Sequence, residues 1–281
     1  MQVAKQLILD NLTALYPKEE IESITRLIFE NVLGLSPLQI HLKRQETISS
    51  ANLAQIKEII SRLVQFEPIQ YIFGACEFYG LPFKVTPAVL IPRPETEELV
   101  DWIITDYAKL KPLILDIGTG SGCIPITLVK NLPEAAADAW DISSEALLVA
   151  QENALNNDVT IAFSCIDILR LQTDPATKKY NLIVSNPPYV TLSELPLMHK
   201  NVTDFEPHLA LFVSDNDPLV FYRTIAEFAY NHLATGGHLY FEINEQFGTQ
   251  VSTLLTAKGF VNVTLKTDLQ QKQRMIRCQK K

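Results

Sequence analysis

The chain has 281 residues, 47% hydrophobic and 20% charged, which is typical of a folded globular protein with one large or two modest domains. It carries 24 lysines and arginines against 32 aspartates and glutamates, a net charge of −8. The apolar content excludes wholesale disorder, and the negative net charge argues against binding nucleic acid through bulk electrostatics, so we expect no direct nucleic-acid partner.

The cysteines and histidines form no metal-binding or redox pattern. Cys76, Cys123, Cys165 and Cys278 show no CxxC spacing, and the five histidines contain no HExxH pair. The first twenty residues hold no signal-peptide apolar run, and no stretch approaches 18 uninterrupted apolar residues. We therefore expect reduced thiols, no metal site and no membrane span in a cytoplasmic protein, with a monomer as the default state.

The first seventy residues are predicted to be helical. One apolar stripe at steps of three and four comprises Ile21, Ile24, Ile28 and Val32, and a second comprises Leu53, Ile56, Ile60, Leu63 and Val64. Gly34 is placed to end the first helix, and Ser36-Pro37 followed by Gln39 is placed to begin another. These patterns indicate the core of a small helical bundle.

Residues 67–94 have a different character, with five prolines and two glycines among β-branched and aromatic residues. The segment is predicted to form short strands or a hairpin rather than helix. We interpret it as the connection between two domains. The predicted division is a helical domain at 1–72, a hairpin linker at 73–94 and a second domain at 95–281.

From residue 95 onward, predicted strands alternate with helices. The predicted strands are 113–116, 137–141, 160–164, 182–185, 238–243, 261–266 and 275–278, and the predicted helices are 96–109, 124–131, 143–157, 219–233 and 245–257. Thr96 has the residue type of a helix N-cap, followed by an acid in the first turn. This alternation predicts an α/β domain with a mainly parallel sheet covered by helices on both faces.

A glycine-rich loop, Asp116-Ile117-Gly118-Thr119-Gly120-Ser121-Gly122, separates the first of these strands from its helix. Glycines let a ligand approach the main chain, and open α/β sheets bind ligands at this end of a strand. Asp141 ends the next predicted strand, where a carboxylate can accept hydrogen bonds from ribose hydroxyls. The acid at position 116 suits a cationic cofactor such as S-adenosylmethionine better than a pyrophosphate. A nicotinamide or flavin cofactor and a structural turn stay open.

A second motif, Ser185-Asn186-Pro187-Pro188-Tyr189, follows the predicted strand 182–185. Consecutive prolines end strand pairing. A planar NH₂ group placed there would meet two acceptors, the Asn186 side-chain oxygen and the Pro187 carbonyl, with the Tyr189 ring as a flat wall. The alternative is a rigid turn with a core tyrosine.

Together, Asp116–Gly122 and Asn186–Tyr189 resemble class I S-adenosylmethionine-dependent methyltransferases that modify amino groups on planar carbons. The segments 68–74 (PIQYIFG), 77–80 (EFYG) and 91–97 (IPRPETE) narrow the resemblance to the peptide-chain release-factor glutamine N5-methyltransferases. The match covers nearly the whole chain. It implies a seven-stranded Rossmann-like methyltransferase sheet with a small N-terminal helical domain that engages the substrate protein.

The resemblance also implies roles for residues. The cofactor-binding candidates are Gly118, Thr119, Gly120, Ser121, Gly122, Asp141, Asp167, Ile168 and Asn186. The substrate-binding candidates are Asn186, Pro187, Pro188 and Tyr189, of which Asn186, Pro187 and Tyr189 are also the candidates for catalysis. Relatives often have Trp after the acid that matches Asp167, packed near the adenine, where this chain has Ile168; the resemblance therefore implies an apolar wall without aromatic stacking.

The implied reaction transfers a methyl group from S-adenosylmethionine to the glutamine of the Gly-Gly-Gln motif in class-1 release factors. Adenine also presents a planar NH₂ group, so a DNA or RNA amino methyltransferase is the main alternative, which the net charge disfavours. A non-catalytic module that docks on a translation factor is a second alternative. Residues 190–218 show little periodicity, and we interpret them as a substrate-facing segment around Phe205-Glu206-Pro207.

Overall fold

The computed structural model describes residues 1–171 and 178–281. These residues form two compact units, one of Met1–Gly74 with His199–Phe205 and one of Ala75–Met198 with Glu206–Lys281. The predicted linker 73–94 differs from this grouping, because the hairpin belongs to the larger unit. Phe78 and Phe83 on its two strands are each 1% exposed and lie in the core of that unit.

The elements are numbered along the chain. The α-helices of the described residues are α1 (Gln2–Leu12), α2 (Lys18–Leu33), α3 (Pro37–Leu42), α4 (Ser50–Leu63), α5 (Ile69–Phe73), α6 (Pro94–Tyr107), α7 (Cys123–Asn131), α8 (Ser144–Asn156), α9 (Lys200–Thr203), α10 (His208–Leu211), α11 (Val220–His232) and α12 (Gly248–Ala257). The strands are β1 (Ala75–Phe78), β2 (Leu81–Lys84), β3 (Leu113–Ile117), β4 (Ala136–Asp141), β5 (Ile161–Cys165), β6 (Tyr180–Ser185), β7 (Val190–Thr191), β8 (Phe212–Val213), β9 (Leu233–Glu242), β10 (Val261–Thr267) and β11 (Gln273–Gln279).

The smaller unit has the predicted helical core. Ile21, Ile24 and Ile28 of α2 are buried against Ile56 and Leu63 of α4 in one apolar cluster. The predicted helix signals are confirmed as well. Gly34 ends α2 in the left-handed region at φ 64°, and the side chains of Ser36 and Gln39 form the capping box that begins α3. Periodicity and capping chemistry suffice here because each helix is bounded by its own local residues.

The prediction of no helix in 67–94 is wrong at its start. Pro68 precedes the short helix α5, and Gly74 ends it at φ 69°. Proline is unfavourable inside helices but fits just before or at their first turn, so the proline marks a boundary and not an absence of helix. The hairpin prediction is confirmed, since β1 and β2 pair antiparallel across the turn residues Tyr79 and Gly80, both with positive φ.

The larger unit contains a seven-stranded sheet of the described residues, in the order β10-β11-β9-β6-β3-β4-β5. Neighbouring strands from β9 to β5 are parallel, whereas β11 runs antiparallel to both β9 and β10. The predicted mainly parallel α/β sheet is therefore confirmed. Alternate residues enter different cores: Ile114 of β3 lies in the cluster with α6 and α7, and Leu115 lies in the cluster with α11 and α12.

Residues 190–218 are more ordered than the absence of periodicity indicated. The strands β7 and β8 pair parallel, and a 3₁₀ turn at Leu192–Leu197 and the short helices α9 and α10 occupy most of the remainder. Each element has six residues or fewer, which is too short to generate a periodic apolar pattern. Within the described ranges, no helix is long and apolar enough to cross a membrane.

Candidate active site

The candidate site lies at the carboxyl edge of the large sheet. Parallel strands end at the same edge, so the loops after β3, β4 and β6 and the end of β9 come together there. A cavity of about 470 Å³ opens at this edge. Among the described residues, no group of three His, Cys, Asp or Glu side chains is arranged to hold a metal ion.

Most of the predicted site residues line this cavity. They are Gly118, Thr119, Gly120, Ser121, Asp141, Asp167, Ile168, Asn186, Pro187 and Pro188. Gly122 and Tyr189 are not among its lining residues. The cavity wall is completed by residues that the sequence did not single out, among them Pro87–Leu90, Phe221 and Ile225, and by Pro207 from the segment interpreted as substrate-facing.

The glycine loop, Asp116–Gly122, is held against the end of β4. The backbone N–H of Gly120 donates to Asp141 Oδ2 at 2.8 Å, and the N–H of Ser143 donates to Asp141 Oδ1 at 2.9 Å. Burial raises the pKa of Asp141, and these backbone donors oppose the increase. Each Asp141 oxygen thus has one protein donor and retains acceptor capacity toward the cavity that the residue lines.

Gly122 has a packing role that the fingerprint alone could not separate from ligand binding. It precedes α7 at φ 79°, and an added Cβ would lie 3.0 Å from Ile126 Cδ1 and 3.2 Å from Ala150 Cβ. Because a side chain would crowd both neighbours, glycine here permits close packing of α7 on α8.

Asp116 is the strongest electrostatic feature of the loop. The residue is 0% exposed, and within the described part of the chain neither carboxylate oxygen accepts a hydrogen bond. Burial raises the pKa of Asp116 to about 7; the neighbouring Thr119 hydroxyl, whose geometry does not complete a hydrogen bond, lowers it, and the charge of Asp141 raises it. Asp116 is not itself a lining residue of the cavity, but its chain neighbours Ile117 and Gly118 are. An unpartnered buried carboxylate next to a cavity wall is matched by a ligand that brings positive charge or hydrogen-bond donors.

Asp167 and Ile168 form another wall. Asp167 Oδ1 accepts a hydrogen bond from the backbone N–H of Leu169 at 2.9 Å and thereby begins the 3₁₀ turn Ile168–Arg170. Ile168 is 8% exposed and lines the cavity, so the wall at the position where relatives often have Trp is aliphatic.

Four side chains, here called the amide relay, form a chain of hydrogen bonds behind the cavity. Asn186 Nδ2 donates to Thr96 Oγ1 at 3.3 Å, and Thr96 Oγ1 donates to Glu242 Oε2 at 2.6 Å. The Tyr189 hydroxyl donates to Glu242 Oε1 at 3.0 Å. Thr96 and Glu242 are only 2% and 1% exposed, so the relay is shielded from water.

The relay corrects the predicted role of Thr96 as a helix N-cap. Arg93 is the N-cap of α6, Pro94 takes the first helical position, and Thr96 lies within the first turn. The Thr96 side chain is directed to Glu242 instead of to its own backbone. Local residue preferences at helix N-termini favoured Thr96 as the cap. They could not reveal its hydrogen-bond partner, because Glu242 lies 146 positions away in the sequence.

Tyr189 also differs from its predicted position. Its ring packs on the apolar cluster of α11 and α12, and its hydroxyl is bonded to Glu242. Burial, and then the Glu242 carboxylate, raise the pKa of Tyr189 well above its usual value, so the phenol remains a proton donor. The ring thus supports the relay rather than forming the cavity wall.

Two acceptors at the cavity are left without a protein donor. Within residues 1–171 and 178–281, no group donates to the Asn186 side-chain oxygen or to the Pro187 carbonyl. Both residues line the cavity. This wall of the site is therefore suited to a ligand with two N–H hydrogens.

The sequence did not identify Glu242 or the partner of Glu206. Glu206 is 4% exposed, and it accepts hydrogen bonds from Ile91 N–H at 3.1 Å and from an Arg93 guanidinium nitrogen at 2.5 Å. It thereby ties the segment before α6 to the segment that precedes α10. Two sequence features could have pointed to these residues. Glu242 is an acid near the carboxyl end of a predicted strand, and Glu206 is an acid that precedes a proline.

Two family models match parts of the chain. The Methyltransferase small domain model matches residues 97–209, and the PrmC N-terminal domain model matches residues 10–74. The structure is similar to a methyltransferase from Pyrococcus furiosus (TM-score 0.53, 16% identity, covering 78% of this chain and 96% of that one). It is also similar to the T. thermophilus 16S rRNA N2 G1207 methyltransferase in complex with AdoMet and guanosine (TM-score 0.53, 16% identity, covering 74% of this chain and 50% of that one). At these identities the two structures show a shared fold.

Sequence relatives are more specific. The chain is 47% identical to the release factor glutamine methyltransferase of Flavobacterium psychrophilum, covering 95% of this chain and 94% of the relative. It is 45% identical to the enzyme of the same name from Bacteroides thetaiotaomicron, covering 96% of both. Identity of this level over nearly the full length of both proteins shows that the chain belongs to the release factor glutamine methyltransferase family.

Proposed function

We propose that this protein transfers a methyl group from S-adenosylmethionine to the side-chain amide nitrogen of the glutamine in the Gly-Gly-Gln motif of class-1 peptide chain release factors. The observation that carries the proposal is the pair of unpartnered acceptors, Asn186 Oδ1 and the Pro187 carbonyl, on the wall of the cavity beside the glycine loop. A primary amide has two N–H hydrogens in one plane, which matches two acceptors. The family to which the chain belongs supports the same reaction.

The residues of the cavity fit S-adenosylmethionine. The unpartnered Asp116 carboxylate, directly behind the lining residues Ile117 and Gly118, suits its cationic amino-acid end, and the remaining lone pairs of the lining residue Asp141 suit its ribose hydroxyls. Thr119, Gly120, Ser121, Asp167, Ile168 and Asn186 supply further polar and apolar surface. When bound, the cofactor supplies an electrophilic methyl group on a sulfonium.

The acceptors have two tasks in the reaction. A glutamine amide nitrogen is a weak nucleophile because its lone pair is delocalised into the carbonyl. Asn186 Oδ1 and the Pro187 oxygen would hold the two amide hydrogens, fix the direction of the nitrogen and keep water away from it. As positive charge develops on the nitrogen, these hydrogen bonds strengthen, and bonds to charged groups contribute roughly 1.5–3 kcal/mol each.

Alignment of the amide nitrogen with the methyl group accelerates the transfer further. Preorganised reactants gain up to about 7–11 kcal/mol in well-oriented cases, and the relay holds Asn186 from behind. Since the nitrogen becomes more acidic once it carries positive charge, its extra proton can pass to water when the methylated side chain leaves the two acceptors. The site then needs no strong general base.

The partner assignment follows from the same proposal. The N-terminal unit, of which residues 10–74 match the PrmC N-terminal domain model, would engage the release factor. We propose that the enzyme acts as a cytoplasmic monomer and does not bind nucleic acid directly, consistent with its net charge of −8.

Mass spectrometry of the product tests the proposed function. Purified protein is incubated with S-adenosylmethionine and an unmodified class-1 release factor, and the tryptic peptides are sequenced. We expect one added methyl on the Gly-Gly-Gln glutamine. An unmodified release factor, together with methylated adenine in parallel DNA or RNA reactions, would replace the proposal by the nucleic-acid alternative.

A further inference from the structure

The amide relay determines which way the Asn186 side chain faces. An asparagine amide has two orientations of nearly equal shape, which exchange its oxygen acceptor for its NH₂ donors. Within the described residues, the Thr96 hydroxyl is the group that the Asn186 NH₂ contacts, at 3.3 Å. The orientation therefore depends on whether the Thr96 oxygen donates to Asn186 or accepts from it.

Glu242 settles that question. A carboxylate only accepts hydrogen bonds, and Glu242 receives one from Thr96 at 2.6 Å and one from Tyr189 at 3.0 Å. The single hydroxyl hydrogen of Thr96 is thereby used. Its oxygen can only accept, so Asn186 must present NH₂ to Thr96 and its oxygen to the cavity.

The direction of the relay holds for the ionised form of Glu242, which its hydrogen-bond partners favour and its burial disfavours. Burial raises its pKa, and the hydrogen bonds from Thr96 and Tyr189 and the charge of Arg274 oppose that increase, while Glu95 adds to it. The backbone oxygen of Glu242 meets the Tyr222 hydroxyl at 3.4 Å. Thus the groups that face this carboxylate are mostly donors or cations.

The direction of the relay has a consequence for specificity. With the Asn186 oxygen facing the cavity, the ligand meets two acceptors and no donor from Asn186 or Pro187. A glutamine NH₂ satisfies both, whereas a glutamate carboxylate of the same shape would place its oxygens against lone pairs. With Asn186 reversed, the site would offer a donor to a carboxylate.

We propose that Thr96 and Glu242 are positioning residues that fix the Asn186 amide and so make the site select glutamine over glutamate. This inference rests on the proposed function. Neither residue lines the cavity, and they act through Asn186. The selection should therefore be lost when the relay is broken, even where the protein remains folded and the cofactor cradle is intact.

Thr96→Val removes the hydroxyl while keeping the shape, and Thr96→Ser keeps the hydroxyl. Thr127→Val is a matched control, because Thr127 of α7 is 0% exposed and its hydroxyl has no partner in the described part of the chain. Each variant is assayed for kcat and KM with an unmodified release factor and for cofactor affinity by calorimetry. Inhibition by a release factor whose Gly-Gly-Gln glutamine is replaced by glutamate measures selection.

We expect Thr96→Val to lower kcat about 10- to 100-fold, to tighten inhibition by the glutamate substrate about tenfold and to leave cofactor affinity within about twofold. Thr96→Ser should restore most of the kcat and the selection, and Thr127→Val should match wild type. If Thr96→Val retains wild-type kcat and selection, the inference is wrong. If wild type methylates no release factor, the proposed function fails instead.

A second variant covers the case in which Thr96→Val does not fold. Glu242→Gln keeps the size of the side chain but adds a donor, which can reverse the direction of the relay. Hydrogen exchange of the Asn186 side-chain NH₂, followed by NMR, gives a readout without turnover. We expect slow exchange in wild type and at least tenfold faster exchange in the variant, and equal exchange rates would overturn the inference.

Discussion

The glycine loop and the amide relay lie at neighbouring strand ends of one sheet, but they are constructed differently. The loop is one continuous segment, Asp116–Gly122, that contacts the next strand end through backbone N–H groups. The relay joins side chains from α6, the end of β6 and the end of β9, with partners up to 146 positions apart. The loop can therefore be altered locally, whereas the relay depends on the whole larger unit.

This difference suggests a division of labour. The loop carries an unpartnered carboxylate, which is suited to binding a charged group. The relay carries satisfied hydrogen bonds and presents one free oxygen, which is suited to orienting a reacting group. Changes to the loop should then alter cofactor affinity, and changes at the relay should alter turnover. The following experiments either separate the two regions or show that they act as one.

Asn186→Ala should have the largest effect. It deletes one of the two acceptors, and removal of one preorganised hydrogen-bonding group typically lowers kcat roughly 100- to 1000-fold. We expect cofactor affinity to change little, because the Asp116 and Asp141 carboxylates remain. Steady-state kinetics and calorimetry make the measurement, with the exposed Asn231→Ala as control. Wild-type turnover in Asn186→Ala would contradict the role assigned to the relay.

Asp116→Asn tests the glycine loop, where we expect weakened cofactor affinity in place of the lost turnover expected for Asn186→Ala. Loss of the charge should weaken S-adenosylmethionine binding about 10- to 100-fold, the value of a hydrogen bond to a charged group. Because burial raises the pKa of Asp116 to about 7, ionisation at pH 8 costs stability in the folded state without ligand. At pH 8 the unfolding free energy of Asp116→Asn should then be roughly 2–4 kcal/mol larger than that of wild type, so the variant is the more stable protein.

Asp138→Asn is the control for that experiment. Asp138 is also buried, but it accepts hydrogen bonds from Lys178 at 2.9 Å and from Tyr180 at 2.7 Å. Its replacement should destabilise the protein and leave cofactor affinity unchanged. If both variants are destabilised and both bind the cofactor normally, Asp116 is a structural residue.

The pH dependence of binding gives a smaller effect on the unaltered protein. The raised pKa of about 7 means that Asp116 is protonated below pH 7, and that proton must leave before a cation is bound. Cofactor affinity should therefore fall as the pH decreases below 7, by up to about tenfold per pH unit. Calorimetry between pH 5.5 and pH 7.5 measures it. Asp116→Asn should show no such slope, and an equal slope in both would assign the proton to another group.

The same contrast explains how much of the site could be predicted from the sequence. The glycine loop and Asp141 follow one another along the chain at readable spacing, and Asn186-Pro187 is a contiguous motif. Thr96 was assigned to a helix cap because its neighbours satisfy local capping rules. Its partner Glu242 depends on the order of strands in the sheet, which no local pattern encodes. The sequence singled out Glu206 only as part of the segment Phe205-Glu206-Pro207, and it did not predict the hydrogen bond between Glu206 and Arg93.

A comparison of Gly122→Ala with Gly120→Ala separates helix packing from cofactor binding within the glycine loop. We expect these two variants to show the smallest effects. Both residues have positive φ, 79° and 54°, so alanine should cost each roughly 1–2 kcal/mol of backbone strain. A Cβ at Gly122 also meets Ile126 and Ala150, whereas one at Gly120 meets nothing within 4 Å. We expect Gly122→Ala to lower the unfolding free energy about 1 kcal/mol more than Gly120→Ala, and only the latter to weaken cofactor binding by steric contact. Urea unfolding measures the stability and calorimetry measures the cofactor affinity. If Gly122→Ala weakens cofactor binding and is no less stable than Gly120→Ala, then Gly122 contributes to cofactor binding and not to helix packing.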